Sequence, residues 1–246
     1  MPPHLRDSLQ DLLALTCPTF SLTAQDSASD QPTTDFEAMH WSWYYKYGTS
    51  GDGVPRDVHP YCLDRAGCMR TNHSQFILYM SQETFEHEDL YHHFVEVFSG
   101  IFEWVRQNLK SQLPEEYEMI AQFSTILPEN ASCPTHPFTS LVLNINACTR
   151  VHRDSGDLHF CLVMPIGQFQ GGSLVLVEPG LVLDLRQGDF AVFQSCDVSH
   201  FNLNYIGRHA SLVLHTDRGM ETWRKNQNNW SHNIYLQYFQ EGEQED

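Results

Sequence analysis

The sequence predicts an α+β fold in which helices come first and an antiparallel barrel or jelly roll follows. Three observations carry that expectation. Apolar residues recur at helical spacing before residue 125. After Pro137 the chain breaks into short β-rich runs punctuated by turn residues. Those runs follow one another too closely to be joined by helices, so they pair antiparallel.

Taken in order, residues 1–35 read as an N-terminal helix and a polar linker. Leu5, Leu9, Leu12, Leu13 and Leu15 can line one face of a short amphipathic helix, and "SLTAQDSASDQPTTD" (21–35) is small and polar. Residues 36–246 then form one domain. In it, "ETFEHEDLYHHFVEVFSGIFEWVRQNLK" predicts a helix over 83–110, with Phe94, Val97, Ile101 and Trp104 on its buried face. "PEEYEMIAQFSTIL" opens a second helix, with Pro114 and acids suited to a first turn. The strands are "FTSLVLNIN", "LHFCLVMPIG", "GGSLVLVEP", "LVLDLRQGDFAVF" and "ASLVLHTD", with corners at Gly171-Gly172, Pro179-Gly180 and Gly188-Asp189. Leu141, Val142, Leu143, Leu174, Leu176, Phe190, Val192, Leu212 and Leu214 are the expected buried strand residues.

Bulk properties narrow the function. Of 246 residues 41% are apolar, enough for a sizeable core, and no apolar run is long enough to span a membrane. The N-terminus lacks the basic start and continuous apolar stretch of a signal peptide, which predicts a nuclear or cytoplasmic protein rather than a secreted one. A net charge of −17 repels nucleic acid at long range, so a nucleic-acid enzyme would need a local basic patch. Lys46, Arg56, Arg65, Arg70, Arg150 and Arg153 are the candidates for one. The seven cysteines form no dense framework and read as free thiols. His59, Cys62, Cys68 and His73 are zinc-ligand types, but their spacing matches no common finger.

The chemistry concentrates in "RVHRDSGDLHFCLVMPIG" (150–167). A His-x-Asp pair is weak by itself, since this composition yields roughly one by chance. Geometry separates the pairs. On a helix, residues two apart diverge, which excludes His87 and Asp89. On a strand they share a face, so His152 and Asp154 can grip one ion. His200, in "CDVSHFNLNY" after a further strand, is the candidate third ligand. Two histidines and a carboxylate on one side of an ion suit non-haem Fe(II) oxygenases. Asn144 and Asn146 alternate on one strand and, inside an apolar run, need partners, either backbone or a bound molecule.

The stretch from His152 to Arg218, "HRDSGDLHFCLVMPIGQFQGGSLVLVEPGLVLDLRQGDFAVFQSCDVSHFNLNYIGRHASLVLHTDR", resembles the Fe(II)/2-oxoglutarate dioxygenases of the TET/JBP kind. It is most like the compact forms of mushroom-forming fungi, and the likeness covers roughly 138–225. The resemblance implies a double-stranded β-helix core over about 138–220, and Fe(II), 2-oxoglutarate and O2 as cofactors. It also implies oxidation of a methylated nucleobase such as 5-methylcytosine in nucleic acid. His152, Asp154 and His200 would be the metal ligands and would carry catalysis. Arg208 would hold 2-oxoglutarate, with Asn144 and Ser211 beside it. Asn146, Arg150 and His215 would face the substrate. Where the family places its arginine, two residues before the strand serine, this chain has His209, with Arg208 one residue earlier. Gly207 would permit the bulge needed to turn Arg208 inward. The acidic charge keeps open the same chemistry on a small metabolite, and a metal-free barrel serving as a binding module is the third reading.

Overall fold

The computed structural model describes residues 1–16, 24–28, 37–47, 76–125, 127 and 133–226. Helix α1 (Pro3–Thr16) is followed by β1 (Gln25–Asp26), β2 (Glu37–Trp41), β3 (Trp43–Tyr47) and β4 (Phe76–Met80). Four helices come next: α2 (Gln82–Glu86), α3 (Glu88–Val97), α4 (Ser99–Gln112) and α5 (Pro114–Ser124). The remaining strands are β5 (Ser140–Ile145), β6 (Cys161–Ile166), β7 (Phe169–Gly171), β8 (Leu174–Leu176), β9 (Leu181–Leu183), β10 (Ala191–Phe193), β11 (His200–Asn202), β12 (Tyr205–Gly207) and β13 (Ala210–His215). Helix α6 (Gly219–Asn226) completes them. The cluster His59, Cys62, Cys68 and His73 lies outside the described residues.

The jelly roll is built from two antiparallel sheets. The larger runs β10-β6-β13-β5-β2. The smaller runs β11-β8-β9 and is extended by a bridge between His152 and His200. Strand β13 is central and two-faced. Ala210, Leu212 and Leu214 are buried, while Ser211, Val213 and His215 alternate with them. Its register sets Leu212 against Leu143 and Met164, and Ser211 against Asn144 and Pro165. One face therefore joins the main core with Leu141, Leu143, Leu162 and Met164, and the other lines the space between the sheets. Each fully buried leucine there contributes about 1.5–3 kcal/mol. A smaller apolar cluster, Cys161, Leu174, Leu176, Ala191 and Phe193, packs between the two sheets.

The helices cover the outer face of the larger sheet. Phe94 and Phe98 stack at 4.2 Å, and Trp104 meets Phe190 edge-on at 5.5 Å. The periodicity over 83–110 predicts one helix, whereas the chain forms three, broken at His87 and Phe98. Phe98 is itself fully buried, so the break sits inside the apolar stripe and leaves its period intact. Helix α1 buries Leu9 and Leu13 in the same core. It is tied down by Gln187, which donates to the Arg6 carbonyl at 2.7 Å and accepts from Gln10 at 2.9 Å. Strands β1 to β4, β11 and β12 lie outside the runs that predict strands, and β1 falls within the expected polar linker. No helix among the described residues is long and apolar enough to cross a membrane.

His209 closes one end of β13. Its ring lies 4.7 Å from Tyr205 and 4.6 Å from Phe169 and is 3% exposed. Burial pushes the imidazole down from 6.5 to about 4. A depressed folded-state value means that the unfolded chain binds this proton first, so stability is lost as pH falls from 6.5 towards 4. At about 1.4 kcal/mol per pKa unit, His209 accounts for a loss of roughly 3 kcal/mol over that window. Denaturant unfolding of wild type and His209→Phe at pH 7 and pH 4.5 should show a smaller fall in the variant. Parallel falls would remove His209 as a source of the pH dependence.

Candidate metal centre

His152 and His200 are joined by two backbone hydrogen bonds, each N–H donating to the other residue's carbonyl, at 3.1 and 2.9 Å. This antiparallel bridge sets the two rings side by side, 4.3 Å apart and tilted by 51°. His152 Nδ1 lies 2.7 Å from the Arg150 carbonyl, and His200 Nδ1 lies 3.0 Å from the Val198 carbonyl. A carbonyl only accepts, so each Nδ1 carries a proton, and in the neutral ring each Nε2 is left with a free lone pair. Both Nε2 atoms converge on Asp154, at 3.6 Å from Oδ1 and 3.4 Å from Oδ2. The Asp154 backbone N–H is held by the Ser195 carbonyl at 3.0 Å.

Three ligand atoms, one from each residue, lie within 4.8 Å of one another. A first-row metal bound at about 2.1 Å places neighbouring octahedral ligands roughly 3 Å apart, so a small contraction closes the site. The donor set fits Fe(II): two neutral imidazoles and one carboxylate, gathered on one side. Electrostatics agree. Burial pushes the Asp154 carboxyl up, but the hydrogen bond from His200 and the charges of His200, His152 and His215 outweigh it and hold it below its ordinary value. Burial lowers His200, yet Asp154, the Val198 carbonyl and Asp157 together raise it. Both shifts favour a proton between His200 Nε2 and Asp154 in the absence of metal, and a metal ion would displace it, leaving the imidazole neutral.

The triad opens into a cavity of about 240 Å³ between the sheets. Asn144, Ser211 and His215, all expected at the site, line it. So do His40, Thr149, Asp157 and Asn202, which sequence reasoning missed. On β2 His40 alternates with the buried Met39 and Trp41, which turns it towards the cavity. Asp157 accepts from the Ser195 hydroxyl at 2.6 Å, and its other oxygen faces His215 Nδ1 at 3.0 Å, a contact off the hydrogen-bond direction. His215 also belongs to a further His-x-Asp run, His215-Thr216-Asp217, but Asp217 pairs through its backbone with Asp157 and does not line the cavity.

Three expected site residues lie elsewhere. Asn146 follows the end of β5 in the left-handed region, with φ 60, so it does not continue the face of Asn144. Arg150 is exposed and contributes its carbonyl to His152 rather than its guanidinium to the cavity. Arg208 is exposed on the connection before β13 and does not line the cavity. Gly207 does adopt positive φ, at 121, but the turn it makes sends Arg208 outward. Arg56, Arg65 and Arg70 fall outside the described residues, and Arg153 is paired with Glu178 at 2.5 Å.

No family model matches the sequence, and no curated protein matches it. Among solved structures, the chain is similar to NgTET1 in complex with 5mC DNA, with a TM-score of 0.53 and 13% identity over 90% of this chain and 71% of that one. A 2OG-Fe(II) oxygenase family oxidoreductase from Burkholderia pseudomallei overlaps 32% of this chain and 43% of its own, at 22% identity and a TM-score of 0.28. The first likeness is one of fold: the two sheets form a double-stranded β-helix core.

Removing Asp154 takes away the only carboxylate of the triad. Anaerobic titration of Asp154→Ala with Fe(II) should show affinity weakened at least about a hundredfold, beyond the cost usually seen for outer-shell changes. Stoichiometric binding at wild-type strength would refute the triad as the metal site.

Proposed function

We propose that the chain is an Fe(II)- and 2-oxoglutarate-dependent dioxygenase that uses O2 to hydroxylate a methylated nucleobase such as 5-methylcytosine in nucleic acid. The observation that carries this reading is the convergence of His152, Asp154 and His200 at the mouth of a cavity inside a double-stranded β-helix. When bound, Fe(II) supplies redox chemistry that couples oxidative decarboxylation of the cosubstrate to insertion of oxygen into a C–H bond.

The chain's own residues do the positioning. The carbonyls of Arg150 and Val198 fix both imidazole tautomers, so that the two Nε2 atoms face the same point. Asp154 balances part of the metal's charge. Val142, Val163, Leu174 and Val213 give the cavity apolar walls that limit water around the triad. Asp157, held by Ser195, keeps His215 against the cavity wall. At about 240 Å³ the cavity is smaller than the roughly 300–1,000 Å³ of sites for drug-sized ligands, so it suits a small group inserted from a larger molecule. A base flipped out of its stack is such a group. The likeness to a protein in complex with 5mC DNA supports the same choice.

A second reading, the same chemistry on a small metabolite, is favoured by the net charge of −17 and by the pairing of Arg153 with Glu178, which uses up a guanidinium beside the triad. The two separate by experiment. Protein supplied with Fe(II), 2-oxoglutarate and O2 is incubated with methylated single- and double-stranded oligonucleotides and with a panel of small metabolites. Mass spectrometry should find a hydroxylated base and matching succinate, both lost in Asp154→Ala. Oxidised metabolite with untouched oligonucleotides would transfer the assignment to the second reading.

A further inference from the structure

We infer that this chain anchors the far end of a 2-oxo acid through uncharged donors, the Asn144 amide and the Ser211 hydroxyl, and therefore accepts 2-oxo acids whose distal end carries no charge. The inference rests on the dioxygenase reading above and adds to it the class of cosubstrate.

Strand β13 determines what reaches that end of the cavity. Ser211 is paired in register with Asn144, and Asn144 Nδ2 lies 3.4 Å from Ser211 Oγ. Thr149 and Asn202 line the same cavity, with Thr149 Oγ1 3.5 Å from Asn202 Oδ1. These are four neutral hydrogen-bonding groups, and among the described residues no lysine or arginine lines the cavity.

The two residues before β13 supply no cation either. Arg208 is fixed outward by its backbone. Its N–H donates to the Gln168 carbonyl at 2.8 Å, and a Cβ on the facing Gly167 would fall 2.0 Å from the Arg208 carbonyl oxygen. A Cβ on Gly207 would fall 2.3 Å from the Gln168 oxygen, so the β7–β12 pairing is close-packed there and a slip in register would clash. At the next position the His209 ring is taken up between Tyr205 and Phe169, and burial keeps it neutral at pH 7. Burial likewise lowers His40, the histidine that β2 contributes to the cavity wall.

Charge then decides the preference. The cavity already holds Asp154 and Asp157. A metal at the triad would offset the carboxylate at the near end of a 2-oxo acid, but a second carboxylate at the far end would be desolvated with no lysine or arginine of the described residues beside it. That cost is large unless hydrogen bonds replace the lost water. Asn144, Ser211 and Thr149 can donate to a carboxylate, so 2-oxoglutarate binds, but the same donors serve an ester or hydroxyl at no charge penalty. No described residue supplies this wall with the guanidinium fork that would reward the dianion.

The test is binding rather than turnover. Full-length protein loaded anaerobically with Fe(II) is titrated with 2-oxoglutarate, its 5-methyl ester and 2-oxopentanoate, reading the charge-transfer absorption of the metal chelate. Dissociation constants for 2-oxoglutarate and the ester should agree within about tenfold, with both below that of 2-oxopentanoate, which lacks a distal polar group. Ser211→Ala and Asn144→Ala should erase that advantage. The near-isosteric Asn144→Asp, checked for intact Fe(II) binding, should weaken 2-oxoglutarate at least about tenfold more than the ester. A preference for 2-oxoglutarate over the ester greater than about tenfold overturns the inference alone, as does an Asn144→Asp variant that weakens both equally. Fe(II) binding without a chelate band from any of the three acids overturns the dioxygenase reading, and this inference with it.

Discussion

The site depends on one pair of backbone hydrogen bonds, those exchanged by His152 and His200. They add the segment after β5 to the edge of β11 and so complete the smaller sheet. They also bring two imidazoles from positions far apart in sequence to 4.3 Å. Side-chain direction alternates along a strand, so a slip of one residue in this bridge would turn one ring away from Asp154. The short carbonyl contacts of both Nδ1 atoms lie on the same two segments, so the bridge sets ring orientation as well as distance.

That constraint explains why the opposite sheet is built as it is. For the cavity to exist, the larger sheet must present something other than leucine towards the triad while still burying its other face. Strands β5 and β13 do this by strict alternation: Leu141, Leu143, Leu212 and Leu214 pack under the helices, and Val142, Asn144, Ser211, Val213 and His215 face inward. Asn144 and Ser211 on that inner face meet each other, and Asp157, in the connection before β6, accepts from Ser195. Such pairing is what makes a buried polar group tolerable.

Alternation also marks how far the sequence could be read. His152 and Asp154 were legible as a pair because two residues on an extended chain share a side, and Ser211 and His215 because β13 keeps its period from 210 to 215. Reading failed where the period stops. Asn146 turns into the left-handed region directly after Ile145, and Gly207 reverses the chain before Arg208, so both expected contacts point elsewhere. Neither torsion is written in the pattern of apolar residues. Strand β2 was hidden for a different reason: "EAMHW" is short and aromatic, and it becomes a strand only by pairing with β5, about a hundred residues later. His40 was lost with it. The helical stripe over 83–110 was legible in composition, but the interruptions at His87 and Phe98 were not, because a break that keeps the apolar period leaves the stripe unchanged.

Position 209 shows how folding and recognition compete for one residue. It has the same parity as Ser211, Val213 and His215, so an unbroken β13 would aim it into the cavity. The strand begins at Ala210, however, and the His209 carbonyl is occupied by the Asn146 N–H at 3.0 Å. Its ring fills an aromatic seat against Tyr205 and Phe169. A guanidinium in that seat would be a buried charge between two aromatic rings, with no carboxylate in the described contacts to meet it, whereas a neutral imidazole packs there as a flat, weakly polar group. The arrangement that stabilises the end of β13 therefore removes the cation from the cavity wall. What remains for a bound molecule at that end is the amide and hydroxyl pair of Asn144 and Ser211, whose chemistry favours hydrogen bonds over charge.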